Sequence, residues 1–345
     1  MARTIVRSSL ALTPAVLVLH YAFGVSGTPT FVLSAIALAP LAFLIGEATE
    51  QIAEHTGPGV SAFLNASFGN APELIIALFA VDSGLPNVVR GSITGSVVGT
   101  ALLVFGAALA VGGDAPADRR SIALQAGAVV AATLLFLVPS VPGWHGDYRR
   151  HSLYVLTLPV AAALLVLYVA ITTYNLRRHR AAHTAAPAEG AWSLPAALAA
   201  LAVATAATAF VSDLLVHSLD AFGHALGLSQ FFVAVVIVAI VGNAAEHGGA
   251  VVTARGGDPR LGAEIAISSA MQVAVFIAPT VALLSVLVGD DLPLAFRPIE
   301  LVTMGGAAAA AGLLVANGRT TRREGYALLG LYAVAAVAFG LAGDR

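Results

Sequence analysis

The chain has 345 residues, 58% of them apolar, with a mean hydropathy of +0.88 and 10% charged residues. Soluble domains carry about 25% charge, and a soluble chain this apolar would lack the polar surface to cover itself, so the composition points to a polytopic membrane protein. A net charge of −2 gives no basic footprint for nucleic acid, and the absence of Cys removes disulfides, thiolate metal sites and Cys nucleophiles together.

A helix needs about 20 residues to cross the hydrocarbon core. Arg3 and Arg7 precede the first apolar run, as in a signal peptide, but His20 and Tyr21 interrupt it and no small-x-small cleavage site follows. We read it as a retained span. In chain order the runs predict eleven spans, near 8–26, 29–53, 60–81, 88–112, 121–141, 153–175, 194–217, 228–254, 261–288, 297–317 and 323–342. Most loops are a few residues long, which leaves no room for a soluble domain. The longest loop, about 176–193, reads as a linker between halves. Trp144, Tyr148 and Trp192 fall at span ends, where interfacial aromatics belong.

All 17 basic residues are Arg. With the N-terminus in the cytoplasm, Arg3, Arg7, Arg119, Arg120, Arg177, Arg178, Arg180, Arg255, Arg260, Arg319, Arg322 and Arg323 fall on the cytoplasmic side. Arg90, Arg149, Arg150, Arg297 and Arg345 fall outside. Cytoplasmic loops are enriched in arginine, so the count predicts N-in and C-out. Short loops and no targeting segment favour a bacterial inner membrane.

Residues 69–73 read Gly-Asn-Ala-Pro-Glu and residues 242–246 read Gly-Asn-Ala-Ala-Glu, 173 positions on. Pro86 aligns with Pro259 and Ser96 with Ser269 at the same offset. The motifs lie in the third and eighth spans, so the two helices cross in opposite directions. The predicted fold is therefore an all-α membrane protein with one extra N-terminal span (1–27), a five-helix repeat (28–176), a cytoplasmic linker (177–193) and a second five-helix repeat of inverted topology (194–345). Inverted repeats whose interrupted helices meet near the midplane are a transporter architecture.

Glu73 and Glu246 fall deep in spans, where an ionised carboxylate costs at least ~2.5–3.5 kcal/mol and is a functional candidate by default. Asn70 and Asn243 stand three residues earlier, on the same helix face. Pro72 has no N–H for the Phe68 carbonyl, and Gly69 weakens the same turn; Gly242, Gly248 and Gly249 loosen the second helix, where Ala245 replaces the proline. Carbonyls freed there can face a cavity. Carboxylates, amide oxygens and carbonyls make an all-oxygen site for a hard cation; Ca²⁺ takes six to eight oxygens. One divalent cation or two protons neutralise the pair. Competition between them at a site with alternating access is exchange. Exchange intact in both Glu73→Gln and Glu246→Gln would sink this reading.

These residues resemble a family. Gly-Glu-Ala-Thr-Glu (46–50), Leu-Asn-Ala-Ser-Phe-Gly-Asn-Ala-Pro-Glu-Leu-Ile-Ile-Ala-Leu (64–78), Gly-Ser-Val-Val-Gly-Thr-Ala-Leu-Leu-Val-Phe-Gly (95–106), Gly-Asn-Ala-Ala-Glu-His (242–247) and Ile-Ser-Ser-Ala-Met-Gln-Val-Ala-Val-Phe-Ile-Ala-Pro (267–279) are similar to the Ca²⁺/H⁺ exchanger (CAX) family of cation antiporters. The resemblance covers nearly the whole chain. Sodium/calcium exchangers are similar in architecture but carry Thr-Ser where this motif has Gly-Asn. The resemblance implies cation and proton binding at Glu73 and Glu246, with Asn70 and Asn243 beside them and support from Ser96, Ser269 and Gln272. Two departures stand out. Thr100 replaces a common Asn, and the linker has Glu189 alone where many members carry an acidic stretch.

Glu47, Glu50 and Asp213 are read as an entry path that attracts cations, and Glu54 as a solvated helix end. His247 follows Glu246 and is a candidate proton relay or a hydrogen-bonding partner for an adjacent span. No cofactor is expected; the partners are Ca²⁺, H⁺ and the lipid bilayer, and a homo-oligomer is left open. Three rivals remain. A membrane-embedded enzyme lacks a His-Glu-x-x-His or Gly-x-Ser-x-Gly constellation. A channel fits a duplicated site in one chain poorly. The same antiport with Na⁺, K⁺ or Mn²⁺ is the closest alternative.

Overall fold

The computed structural model describes residues 9–56, 64, 68–145, 147, 150–179, 192–289 and 291–344, and these are almost entirely helical. Arg3, Arg7, Tyr148, Arg149, most of the predicted linker and much of the first half of the third span lie outside the described residues. The helices are α1 (Leu12–Phe23), α2 (Thr28–His55), α3 (Ala71–Asp82), α4 (Pro86–Gly112), α5 (Arg119–Gly143), α6 (His151–His179), α7 (Leu194–Leu226), α8 (Gln230–Gly242), α9 (Ala244–Arg255), α10 (Pro259–Val288), α11 (Pro298–Leu314) and α12 (Arg322–Ala342). Seven of them are long and apolar enough to cross a membrane, or eight spans if the bent pair α8–α9 counts as one; α1 and α11 are apolar but shorter.

Element boundaries recur at the sequence interval. α3 runs from Ala71 to Asp82 and α9 from Ala244 to Arg255, each limit 173 positions apart. α4 and α10 open on Pro86 and Pro259, where a missing N–H costs nothing. Each then carries a π-helical stretch, Gly99–Val104 and Val273–Ile277.

The helices form two compact units. The first holds α1, α2, most of α3, the end of α6, α7 and residues 241–245. Its core is the antiparallel α2–α7 pair, closed by Ile45, Ala48, Ile52, Ala71, Ala197, Leu201 and Ala204.

The second unit holds α4, α5, most of α6, α8, the bulk of α9 and α10–α12. Gly91 and Gly95, a small-xxx-small pair, let α4 lie against the π stretch Val233–Val238 of α8. A Cβ on Gly95 would sit 2.0 Å from the Val235 carbonyl oxygen. At one end of this unit, strands β1 (Ala115–Pro116) and β2 (Arg319–Thr320) pair, and Arg260 bridges to Asp118 at 3.2 Å. At the other end, residues 291–297 are non-helical and mostly buried. Their backbone groups are satisfied by side chains: Ser285 and Thr157 accept from the N–H of Leu292 and Leu294, Ser140 from that of Phe296, and Trp144 and Arg90 donate to the carbonyls of Phe296 and Ala295. Irregular backbone at membrane depth is tolerated only when so enclosed.

Candidate functional site

A turn at the asparagine precedes the helix that carries each motif glutamate. Asn70 is a buried turn residue between helical Gly69 and α3, and Asn243 is a buried turn residue between α8 and α9, whose axes differ by 61°. The break does not need the proline. Pro72 sits in the first turn of α3, where proline is tolerated, and the second break forms with Ala245 in its place. The consequence is electrostatic. Glu73 and Glu246 each fall in the first turn of a half-helix, the positive end of its dipole.

In the first unit, Glu73 is 8% exposed, and neither of its carboxylate oxygens has a hydrogen-bond partner among the described residues. Its side chain rests on the second motif: a Cβ added to Gly242 would meet Glu73 Cγ at 3.3 Å and Oε1 at 3.7 Å. Asn70, Glu73, Gly242 and Asn243 all belong to this unit.

In the second unit, Glu246 is half-buried and accepts a hydrogen bond from the Ser269 hydroxyl of α10. Gln272 Nε2 donates to Ser268 Oγ at 3.4 Å, one turn back on the same helix. Ser96 and Thr100 are buried on α4, and Thr100 spends its hydroxyl proton on the Ser96 carbonyl at 2.5 Å. His247 is half-buried on α9, and its Nε2 has no partner among the described residues.

The expected entry residues are in the first unit. Glu47 is half-buried and Glu50 exposed on α2; Asp213 is half-buried on α7, 3.1 Å from His217. His217 was missed from sequence, although its i+4 spacing from Asp213 was the available signal. Gly95 was missed as well; its spacing from Gly91 was the signal. Among the described residues no group of three or more His, Asp or Glu is placed to hold a metal. A cation bound here would be held by isolated carboxylates with amide, hydroxyl and carbonyl oxygens, the donor set hard cations take.

Comparison with known proteins gives a consistent picture. The family model described as sodium/calcium exchanger protein matches residues 26–177 and 196–341. The Ca²⁺/H⁺ antiporter ChaA of Bacillus subtilis (strain 168) is 35% identical over 326 residues, covering 90% of this chain and 92% of its own length. The Ca²⁺/H⁺ antiporter of Aphanothece halophytica is 32% identical over 332 residues, covering 90% and 89%. Among solved structures, native YfkE superposes with a TM-score of 0.82 at 31% identity, over 99% of this chain and all of the other.

Proposed function

The chain belongs to the sodium/calcium exchanger protein family, and from that premise we propose that it is a Ca²⁺/H⁺ antiporter whose cargo binds at the two Gly-Asn-Ala-x-Glu motifs. The observation that carries this is the repeated turn: each motif places a buried asparagine just before a helix and a glutamate in that helix's first turn, and at Asn243 the turn separates two helices bent by 61°. Half-helix termini of this kind supply carbonyls at one end and a favourable place for a carboxylate at the other. Ca²⁺ is favoured over Na⁺, K⁺ or Mn²⁺ because the relatives that match along most of the chain are named for Ca²⁺.

In this reading Glu73 and Glu246 bind cation or protons, with Asn70 and Asn243 as amide ligands. Gly69, Gly242, Ser96, Thr100, Ser269, Gln272 and His247 shape the surroundings, and Glu47, Glu50 and Asp213 line the approach. The protein is a transporter without a cofactor. Eleven spans, one extra helix (1–27) and two inverted repeats (28–176 and 194–345) joined by a linker (177–193) are supported by the 173-residue recurrence of helix limits and π stretches. N-in orientation in a bacterial inner membrane is supported by Arg119, Arg260, Arg319 and Arg322 gathering at one end of the second unit, with Arg90 and Arg297 at the other. Ca²⁺ then leaves the cytoplasm as protons enter.

The test is cation-driven proton movement in proteoliposomes. Ca²⁺ added to one side should move protons to that side, and Na⁺, K⁺ and Mn²⁺ should do so less. Because each bound Ca²⁺ displaces protons, apparent Ca²⁺ affinity should rise with pH. A folded protein in which no cation moves protons would overturn the exchange reading.

A further inference from the structure

Hydroxyls in apolar helices usually donate to the carbonyl four residues back. Thr49, Thr133, Ser140, Thr157 and Ser218 do so here, at 2.6–2.9 Å. Thr205, Thr208 and Ser212 on α7 and Ser34 on α2 do not. Their oxygens are buried and have no hydrogen-bond partner among the described residues. Thr208, Ser212 and Ser34 are fully buried, at 0% exposure. The other buried hydroxyls in this condition among the described residues, Thr13, Ser83, Thr94 and Tyr332, are scattered along the chain.

The four are not scattered. Thr205, Thr208 and Ser212 stand at i, i+3 and i+7, on one face of α7. The register of α7 against α2 is pinned at both ends. Thr28 Oγ1 donates to the Ala221 carbonyl at 3.3 Å, Phe31 stacks on Phe222 at 4.3 Å, and the Trp192 N–H donates to Gln51 Oε1 at 2.6 Å. Carried along the antiparallel pair from Thr28–Ala221 and Phe31–Phe222, that register sets Ser34 about one to two helical turns from Ser212. At the other end of the row, Thr205 follows Ala204, which packs in one cluster with Ala71. Two residues beyond Ala71 is Glu73, itself buried with both oxygens unpartnered. Glu73 and the hydroxyl row belong to the same compact unit.

We infer that Thr205, Thr208, Ser212 and Ser34 form the proton route to Glu73, separate from the path of the cation. The inference rests on the exchange reading above. A hydroxyl both donates and accepts, so a row of them with water between can relay a proton. Each oxygen takes a proton from its outer neighbour and gives its own to the next; the last goes to the Glu73 carboxylate, and every hydroxyl ends as it began. The row cannot serve Ca²⁺, which takes six to eight oxygens and favours carboxylates. Glu47, Glu50 and Asp213 supply that charge elsewhere on the same two helices. Buried hydroxyls left without partners cost stability, so they are expected to carry out a task.

The test compares wild type with the double variant Thr208→Val and Ser212→Ala in proteoliposomes. It reads Ca²⁺-driven proton flux with an internal pH dye and equilibrium ⁴⁵Ca²⁺ binding at fixed pH. Proton flux should fall by about tenfold to a hundredfold, at or below what positioned proton-transfer groups contribute. Ca²⁺ binding should be unchanged, and Thr208→Ser with Ser212→Thr should restore the flux. Wild-type flux in the double variant, or a loss of Ca²⁺ binding in step with flux, overturns the route while leaving exchange intact. A wild-type protein that moves no protons overturns the exchange reading and the route with it.

Discussion

Glu73 and Glu246 occupy the same place in the two Gly-Asn-Ala-x-Glu motifs and have unequal surroundings. Both open a half-helix. Glu73 is buried with no donor for either oxygen among the described residues, whereas Glu246 is half-buried and holds the Ser269 hydroxyl. An unpaired buried carboxylate is costly, so in the proposed exchange it is the cargo that compensates Glu73. Glu246 has part of its compensation built in. Under the proposed exchange, the packing around the two motif carboxylates makes Glu73 the stricter holder of a proton or cation.

The largest expected effect removes that pair. Glu73→Gln and Glu246→Gln should each lower Ca²⁺-driven proton flux by about a hundredfold or more, equivalent to about 3 kcal/mol, since each removes one of the two carboxylates proposed to bind the cation and its protons. The inequality predicts a further difference. Gln at 73 removes a buried ionisable group that no donor meets and should raise the melting temperature in Ca²⁺-free detergent; Gln at 246 should change it little. Equal shifts would mean that the two carboxylates are equivalent.

Next in size is Gly95→Ala. The added Cβ would meet the Val235 carbonyl at 2.0 Å, a backbone atom that cannot swing away. Overpacking of this kind costs about 1–3 kcal/mol or more, read as a lower melting temperature and poor yield. Gly249→Ala, which would meet nothing within 4 Å, is the control and should be neutral.

Gly242→Ala acts on one carboxylate alone. Its Cβ would press on Glu73 Cγ at 3.3 Å, so the side chain must give by a few tenths of an ångström. Ca²⁺ affinity should fall by about tenfold, equivalent to about 1.4 kcal/mol. An unchanged affinity would mean that Glu73 is not set by the second motif.

The reach of the sequence follows the same division. Helix positions were legible because apolar length and charged punctuation are local signals, and the motif carboxylates stood out as candidates because Glu is rare in such spans. The reason for the break was less legible. Pro72 was the obvious breaker, yet the second repeat breaks at Asn243 without one. Gly95 was passed over because glycine is common here and its necessity lies in a carbonyl on another helix. The hydroxyls of α7 were unreadable as a group, because Thr and Ser look alike whether they bond their own helix or nothing. What distinguishes them is tertiary.

The smallest effect is Ser269→Ala, and it bears most directly on the inequality. The Ser269 hydroxyl donates to Glu246. A hydrogen bond to a charged group contributes about 1.5–3 kcal/mol, but only its difference between the loaded and empty states alters affinity. If the hydroxyl still donates when Ca²⁺ is bound, most of that contribution cancels. What survives is the competition with protons, because the donor favours the charged carboxylate over the protonated one. Ser269→Ala should therefore weaken apparent Ca²⁺ affinity by less than about tenfold at acid pH and converge on wild type as pH rises. Ser269→Thr should restore the wild-type curve. The matching loss at Glu73 has no counterpart to remove, since no hydroxyl among the described residues donates to it. A constant offset at every pH would show that Ser269 shapes the bound state instead, and would shift the asymmetry from the empty site to the loaded one.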